Sequence, residues 1–172
     1  MMGNQLRELI LLRHAKSDWK AGNQADIDRP LSDRGKKNAQ KVGKWMHQNT
    51  LIPDLILTSP AKRALQTLKR ICNECGTQTI TIDELYNADL DTLKRILAEA
   101  PPVERIMIIG HNPGIERLFN FLQKNTKEQE THLFPTASLA HFVLPSEWHQ
   151  LNSGDGRLMH FVRPKEIVLN AP

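Results

Sequence analysis

The sequence predicts an α/β fold, and three observations carry that prediction. Short apolar runs of strand length alternate along the chain with longer stretches whose apolar residues recur at helical spacing, the pattern of strand–helix–strand units. One run, residues 106–109, is uninterrupted by polar residues, as expected of a central parallel strand buried on both faces. With 172 residues and no internal repeat or low-complexity tract, the chain is expected to form one domain over 1–172.

The elements follow in order. Residues 9–12 read as a first buried strand ending at Arg13. After a polar loop, Ser32 is a helix N-cap, and Ala39, Val42, Trp45 and Met46 supply that helix's apolar positions. Residues 55–57 read as a second strand. Ser59 and Pro60 then form a strand-to-helix turn, with Ser59 expected at the N-cap and Pro60 at the first helical position. Residues 79–82 are a weaker third strand, and Asp89 or Asp91 starts a helix stopped by Pro101 and Pro102. Residues 105–109 form the fourth strand, which delivers Gly110 and His111. Asn112 is expected to cap the next helix, with Pro113 at its first position and Ile115, Leu118, Phe119 and Leu122 buried. Residues 125–131 are a charged loop. Residues 139–144 and 157–162 read as two late strands separated by a Ser-Gly-Asp-Gly turn, before a terminal tail.

Composition excludes several classes. At 40% hydrophobic and 24% charged residues, with 9 Gly and 10 Pro, the chain is neither collagen-like nor wholly disordered. Lys and Arg number 23 against 19 Asp and Glu, a surplus too small and scattered to mark a nucleic-acid partner. An acidic substrate remains compatible, and a pI of ≈ 9.2 suggests attraction to acidic partners. The longest early apolar run, residues 9–12, is too short for a membrane span or a signal-peptide core, so we expect a cytoplasmic protein with no membrane partner. The two cysteines, Cys72 and Cys75, invite a redox or half-zinc reading. They also continue the stripe of Ala61, Ala64, Leu65, Leu68 and Ile71 at helical spacing, which reads as free thiols packed in the core. No later Cys pair could complete a zinc site.

The chemistry gathers beyond the carboxyl ends of the strands, where open α/β sheets place their sites. The first strand runs into Arg13, His14 and Lys16, the second into Ser59 and the helix bearing Arg63, and the fourth into His111. Two imidazoles, two guanidiniums and an ammonium suit the anionic oxygens of a phosphoryl group. Those cations would repel a divalent metal and no carboxylate cluster accompanies the histidines, so neither metal nor cofactor is expected. A neutral imidazole can attack phosphorus in line while the cations stabilise the equatorial oxygens, and water can then cleave the phosphohistidine.

Four segments in register extend this reading: residues 11–17 (Leu-Leu-Arg-His-Ala-Lys-Ser), 29–35 (Arg-Pro-Leu-Ser-Asp-Arg-Gly), 59–67 (Ser-Pro-Ala-Lys-Arg-Ala-Leu-Gln-Thr) and 110–114 (Gly-His-Asn-Pro-Gly). In type and order they resemble the histidine phosphatase superfamily, and the short chain looks most like its SixA-type phosphohistidine phosphatases. The resemblance implies a phosphoglycerate mutase-like, three-layer α/β/α sandwich around a central, mostly parallel sheet. It implies His14 as nucleophile, Arg13 and Arg63 as phosphate clamps, and His111 as a further phosphate ligand. Lys16 and Asn112, on the same loops, are assigned to substrate binding. Ala15 stands where the superfamily usually has Gly, so its φ is expected to be negative. Periodicity alone makes Arg63 an exposed surface residue; the resemblance overrules it, with the first helical turn leaning toward the pocket.

The leaving group needs a proton. Glu84, just after the third strand, resembles the superfamily's acidic residue, and Asp18 is the alternative. The expected substrate is a phosphorylated protein histidine. A small phosphate ester on the same site, or a phosphate-binding module without turnover, are the alternatives. Oligomeric state is left unassigned.

Overall fold

The computed structural model describes residues 6–20, 22–123, 133–145 and 147–169. The expected charged loop at 125–131, His132 and the last residues of the expected tail lie outside them. Six strands, β1 (Arg7–Arg13), β2 (Leu55–Thr58), β3 (Gln78–Thr81), β4 (Arg105–Gly110), β5 (Leu139–Leu144) and β6 (Arg157–Val162), form one sheet in the order β3-β2-β4-β1-β5-β6. β3, β2, β4 and β1 run parallel, and β5 pairs antiparallel with both β1 and β6. Among the described residues the α-helices are α1 (Asp33–Gln48), α2 (Lys62–Ile71), α3 (Leu90–Ala98) and α4 (Gly114–Leu122).

The period-two alternation of side chains explains the layers. Along β1, Leu9 and Leu11 point into one core with Leu93 and Ile96 of α3 and Leu118 and Phe119 of α4. Ile10 and Leu12 point into the other, with Ala39 and Val42 of α1 and Ala61 and Ala64 beside α2. Burial on both faces is why β1 and β4 read as continuous apolar runs. Each fully buried Leu or Ile in them is worth roughly 1.5–3 kcal/mol of apolar transfer. This is the three-layer, mostly parallel sandwich that was expected.

The Ser32 hydroxyl accepts from the Gly35 amide at the start of α1, and Asp89 caps α3 through the Thr92 amide. Two expected caps are corrected. α2 begins at Lys62 with Ala61 at its N-cap, and the Ser59 hydroxyl accepts from the Ala61 amide while also facing an imidazole, described below. α4 begins at Gly114 with Pro113 at its N-cap; Asn112 instead donates through its side-chain amide to the Phe134 carbonyl, and its Oδ1 accepts from no described residue. The reading of Cys72 and Cys75 as free core thiols is also corrected. α2 ends at Ile71, Cys72 leaves helical geometry (φ −140, ψ 56), and the two sulfurs are joined in a disulfide across the turn. β3 lies at the sheet edge with all four residues exposed, which accounts for its weak apolar pattern.

Trp148 is buried and its indole N–H donates to the Val103 carbonyl (2.9 Å), whereas Trp19 is 77% exposed. No helix among the described residues is long and apolar enough to cross a membrane.

Candidate active site

β1 and β4 are parallel neighbours with Arg13 opposite Gly110, so the residues that follow them emerge side by side. Their onward connections diverge: β1 leads through α1 to β2, and β4 leads through α4, on the opposite face, to β5. Such a divergence opens a crevice at the strand ends. The backbone closes it tightly, with the His14 amide donating to the Gly110 carbonyl and the Ser59 amide to the Ile109 carbonyl (3.0 Å each). The His14 and His111 rings sit 5.0 Å apart at the floor of an open cavity of about 500 Å³.

His14 is 7% exposed, and its Nδ1 lies 2.7 Å from the Ala15 carbonyl oxygen. A carbonyl only accepts, so Nδ1 carries the proton and Nε2 keeps the lone pair. Burial pushes the His14 pKa down to about 3; the Ala15 carbonyl opposes this, and His111, Arg63 and Arg13 add to it. The ring is neutral at physiological pH, as a nucleophile requires. Ala15 is not among the residues with positive φ, in keeping with expectation. Its amide donates to the Thr67 hydroxyl (3.0 Å), which donates to the Arg63 carbonyl (2.7 Å). Fully buried Thr67 therefore fixes the loop that carries His14 to α2. Its position one turn after Arg63 in the third quoted segment was the available signal.

Two glycines of the quoted segments serve close backbone approach. A Cβ on Gly35 would stand 2.0 Å from the Lys16 carbonyl oxygen, and one on Gly114 would stand 2.2 Å from the Ala88 carbonyl oxygen. Together with the Ser32 amide, which donates to the Lys16 carbonyl (2.9 Å), this presses the 15–32 loop onto the start of α1.

Arg63 is 5% exposed, against its helical periodicity, because the first turn of α2 faces the cavity rather than solvent. Its Nη1 donates to the Asp26 carbonyl (2.7 Å) and its Nη2 to the Asp26 carboxylate (3.1 Å). The same carboxylate accepts from the Tyr86 hydroxyl and from Arg29 Nη2 (3.0 Å). These donors, Tyr86 first, hold the Asp26 carboxyl below the usual carboxylate range, so it is ionised. Arg29 stacks on Trp19, 3.7 Å from the ring centroid, and both line the cavity. Asp26, Arg29 and Tyr86 went unread in the sequence. Arg29 opens the second quoted segment; Asp26 and Tyr86 had no pattern to mark them.

Arg13 donates through Nη1 to the Phe134 carbonyl (3.0 Å), which also accepts from the Asn112 amide (2.9 Å). Glu116 completes this wall by accepting from the Phe134 amide (2.8 Å) and from Asn112 (3.3 Å). His111 Nε2 lies 2.7 Å from the Ser59 hydroxyl, which itself accepts from the Ala61 amide (3.2 Å). His111 Nδ1 is buried without a partner among the described residues. Burial, then Arg63, pushes the His111 pKa down to about 4, with Asp26 opposing. Nε of Arg13 and of Arg63 are likewise buried and unpaired. Unpaired donors around two neutral imidazoles favour an oxyanion that supplies the missing acceptors.

Of the expected site residues, Arg13, His14, Lys16, Arg63, His111 and Asn112 line this one cavity. Glu84 does not: its carboxylate is exposed and paired with Arg95 of α3. The 3-10 turn at Asp83–Asn87 points Tyr86, two residues on, into the cavity instead. Asp18 accepts from the Lys20 amide (2.8 Å) and lines an adjoining depression. Among the described residues no His, Cys, Asp and Glu cluster is arranged to hold a metal ion.

Comparison with known proteins agrees with this geometry. The histidine phosphatase superfamily (branch 1) matches residues 9–102. An uncharacterized protein of Mycobacterium leprae is 30% identical over 163 residues, 90% of this chain and 100% of its own. The crystal structure of the candidate phosphohistidine phosphatase SixA from Agrobacterium tumefaciens superposes with a TM-score of 0.78 at 31% identity, covering 92% of this chain and 98% of that one. A SixA-type structure from Nakamurella multipartitia shares the fold, with a TM-score of 0.82 at 24% identity over 92% of this chain and 96% of its own.

Proposed function

The chain belongs to the histidine phosphatase superfamily and is a phosphatase; from that premise we propose that it hydrolyses phosphohistidine on a protein through a phosphoryl group carried on His14. His14 Nε2 attacks phosphorus in line, the bond from phosphorus to the substrate nitrogen breaks, and the substrate imidazole leaves with the electron pair. Arg13, Arg63 and His111 face the equatorial oxygens. The Ala15 carbonyl keeps the proton on His14 Nδ1, so the phosphorylated ring is cationic and departs as neutral imidazole when water attacks phosphorus. Inorganic phosphate and a proton are released. We further propose that residues 1–172 form a single domain and that Glu84 takes no direct part.

One observation carries the choice of leaving group. Among the described residues lining the cavity, Asp26 is the sole carboxyl group, and it is held ionised by Tyr86, Arg29 and Arg63. An alkoxide leaving group needs a proton donor in reach, whereas an imidazole already protonated on its other nitrogen does not. The open cavity supports access for a protein surface.

The test is phosphate release, in chelator, from a histidine-phosphorylated protein by the wild type and by His14→Ala. Release by the wild type that vanishes in the variant, with acid-labile phosphate trapped on His14 after rapid quench, is expected. Faster turnover of small phosphate esters than of phosphohistidine would overturn the substrate assignment.

A further inference from the structure

The charge of this chain is not scattered. α1 and α2 together hold nine of the 23 Lys and Arg residues but one of the 19 Asp and Glu residues, so the remainder of a chain of net +4 is net acidic. Both helices cover the same face of the sheet. Between them runs a groove of about 400 Å³ lined by Lys36, Gln40, Gln66, Lys69, Arg70 and Asn73, three cations and no carboxylate. Among the described residues Lys69 and Arg70, both exposed, have no ion-pair partner, and Lys36 has a long contact of 3.9 Å to Asp33.

The groove begins at the catalytic edge. Arg63, in the first turn of α2, faces the phosphate cavity, and Arg70 stands two turns further along, ~10 Å away at 1.5 Å per residue. The Gln66 carboxamide, in the groove wall, accepts from the Leu31 amide of the loop carrying Lys16 and Arg29 (2.8 Å). Lys36 follows Gly35, whose backbone packs on the Lys16 carbonyl. A row of cations thus leads from the cavity along the α1–α2 groove.

We propose that this groove is the docking surface for the protein substrate, and that it takes an acidic segment lying a few residues from the phosphorylated histidine. This rests on the phosphohistidine reading and adds the chemistry by which the substrate is chosen. Its occupant is an Asp- or Glu-rich chain rather than nucleic acid. The groove carries amides to bond a peptide backbone, and none of its lining residues is an aromatic on which a base could stack. At an extended rise of about 3.3 Å per residue, three to five residues span from cavity to groove.

The test uses two phosphohistidine peptides with a six-residue tract starting three residues from the phosphohistidine, all Glu in one and all Gln in the other, each made with the tract on either side. Phosphoramidate serves as the small substrate. At low salt the wild type should prefer a Glu peptide by about tenfold in kcat/KM, mainly through KM, and salt should erase the preference. Lys36→Glu with Lys69→Glu and Arg70→Glu should reverse it while phosphoramidate turnover stays within about twofold. Lys69→Gln with Arg70→Gln, a milder change at exposed sites, should give an intermediate loss. Equal kcat/KM on Glu and Gln peptides overturns the proposal. So does binding of a 20-nucleotide single strand that the charge reversals abolish while the peptides stay indistinguishable. If the wild type hydrolyses neither phosphohistidine peptide, the functional reading itself has failed, an outcome separate from the loss of preference.

Discussion

Asp26 grips Arg63 twice, through its backbone carbonyl at 2.7 Å and its carboxylate at 3.1 Å, so an anion holds in place the guanidinium proposed to clamp phosphate. The carbonyl fixes where the guanidinium lies, and the carboxylate offsets its charge. Exchanging the carboxylate for an amide separates these roles.

Asp26→Asn should therefore keep Arg63 in position while making the cavity more positive. For a half-exposed carboxylate the effect is of order 1 kcal/mol. Inorganic phosphate should inhibit about fivefold more strongly, and more so at low salt. Inhibition by phosphate, titrated at two ionic strengths, reads this out. Weaker inhibition would mean that the carboxylate chiefly positions Arg63.

The two site histidines set the acid limb of activity. With pKa values pushed down to about 3 and about 4, mainly by burial, both rings stay neutral far below the ordinary histidine value of 6.5. kcat/KM should be flat from pH 8 to about 5 and fall only near pH 4, in contrast with a break near 6.5 for solvated imidazoles.

The same shifts bear on stability. Below pH 6.5 the unfolded chain binds protons that the folded chain refuses, so stability rises with pH between about 3 and 6.5 and is lost as acid is added. Melting temperature measured from pH 4 to 8 should fall on the acid side, and His14→Gln should flatten that slope.

Gly35→Ala and Gly114→Ala place a methyl group about 2 Å from a carbonyl oxygen of the backbone, which cannot yield as a side chain could. Each should cost ~2 kcal/mol or more in chemical denaturation. Gly35→Ala should also lower kcat/KM disproportionately, since the oxygen it meets belongs to Lys16 in the nucleophile loop.

Glu84→Gln should leave turnover of phosphohistidine and of a phosphate ester within about twofold of wild type, because its carboxylate pairs with Arg95 outside the cavity. A loss beyond tenfold on the ester alone would return the residue to the role of proton donor.

The α/β class, the strands at β1, β4, β5 and β6, and the placing of His14 and His111 at the ends of neighbouring strands were legible in the chain because each depends on local spacing. Apolar runs buried on both faces announce central strands, and Ser32 and Asp89 each accept from a backbone amide three residues on at the start of a helix. What the tertiary structure decided is wherever a side chain had two possible partners or a contact came from far along the chain. Ser59 shares its hydroxyl between the Ala61 amide and an imidazole 52 residues away, and Asn112 donates to the Phe134 carbonyl 22 residues on. Arg63 reads as a surface residue until the first turn of α2 is set beside a carboxylate 37 residues earlier. Tyr86, and not the expected Glu84, lines the cavity because the 3-10 turn between β3 and α3 sets which of two near neighbours faces it. Charge followed the same division: the sum of +4 was readable at once, but its concentration on one face exists only after α1 and α2 pack side by side.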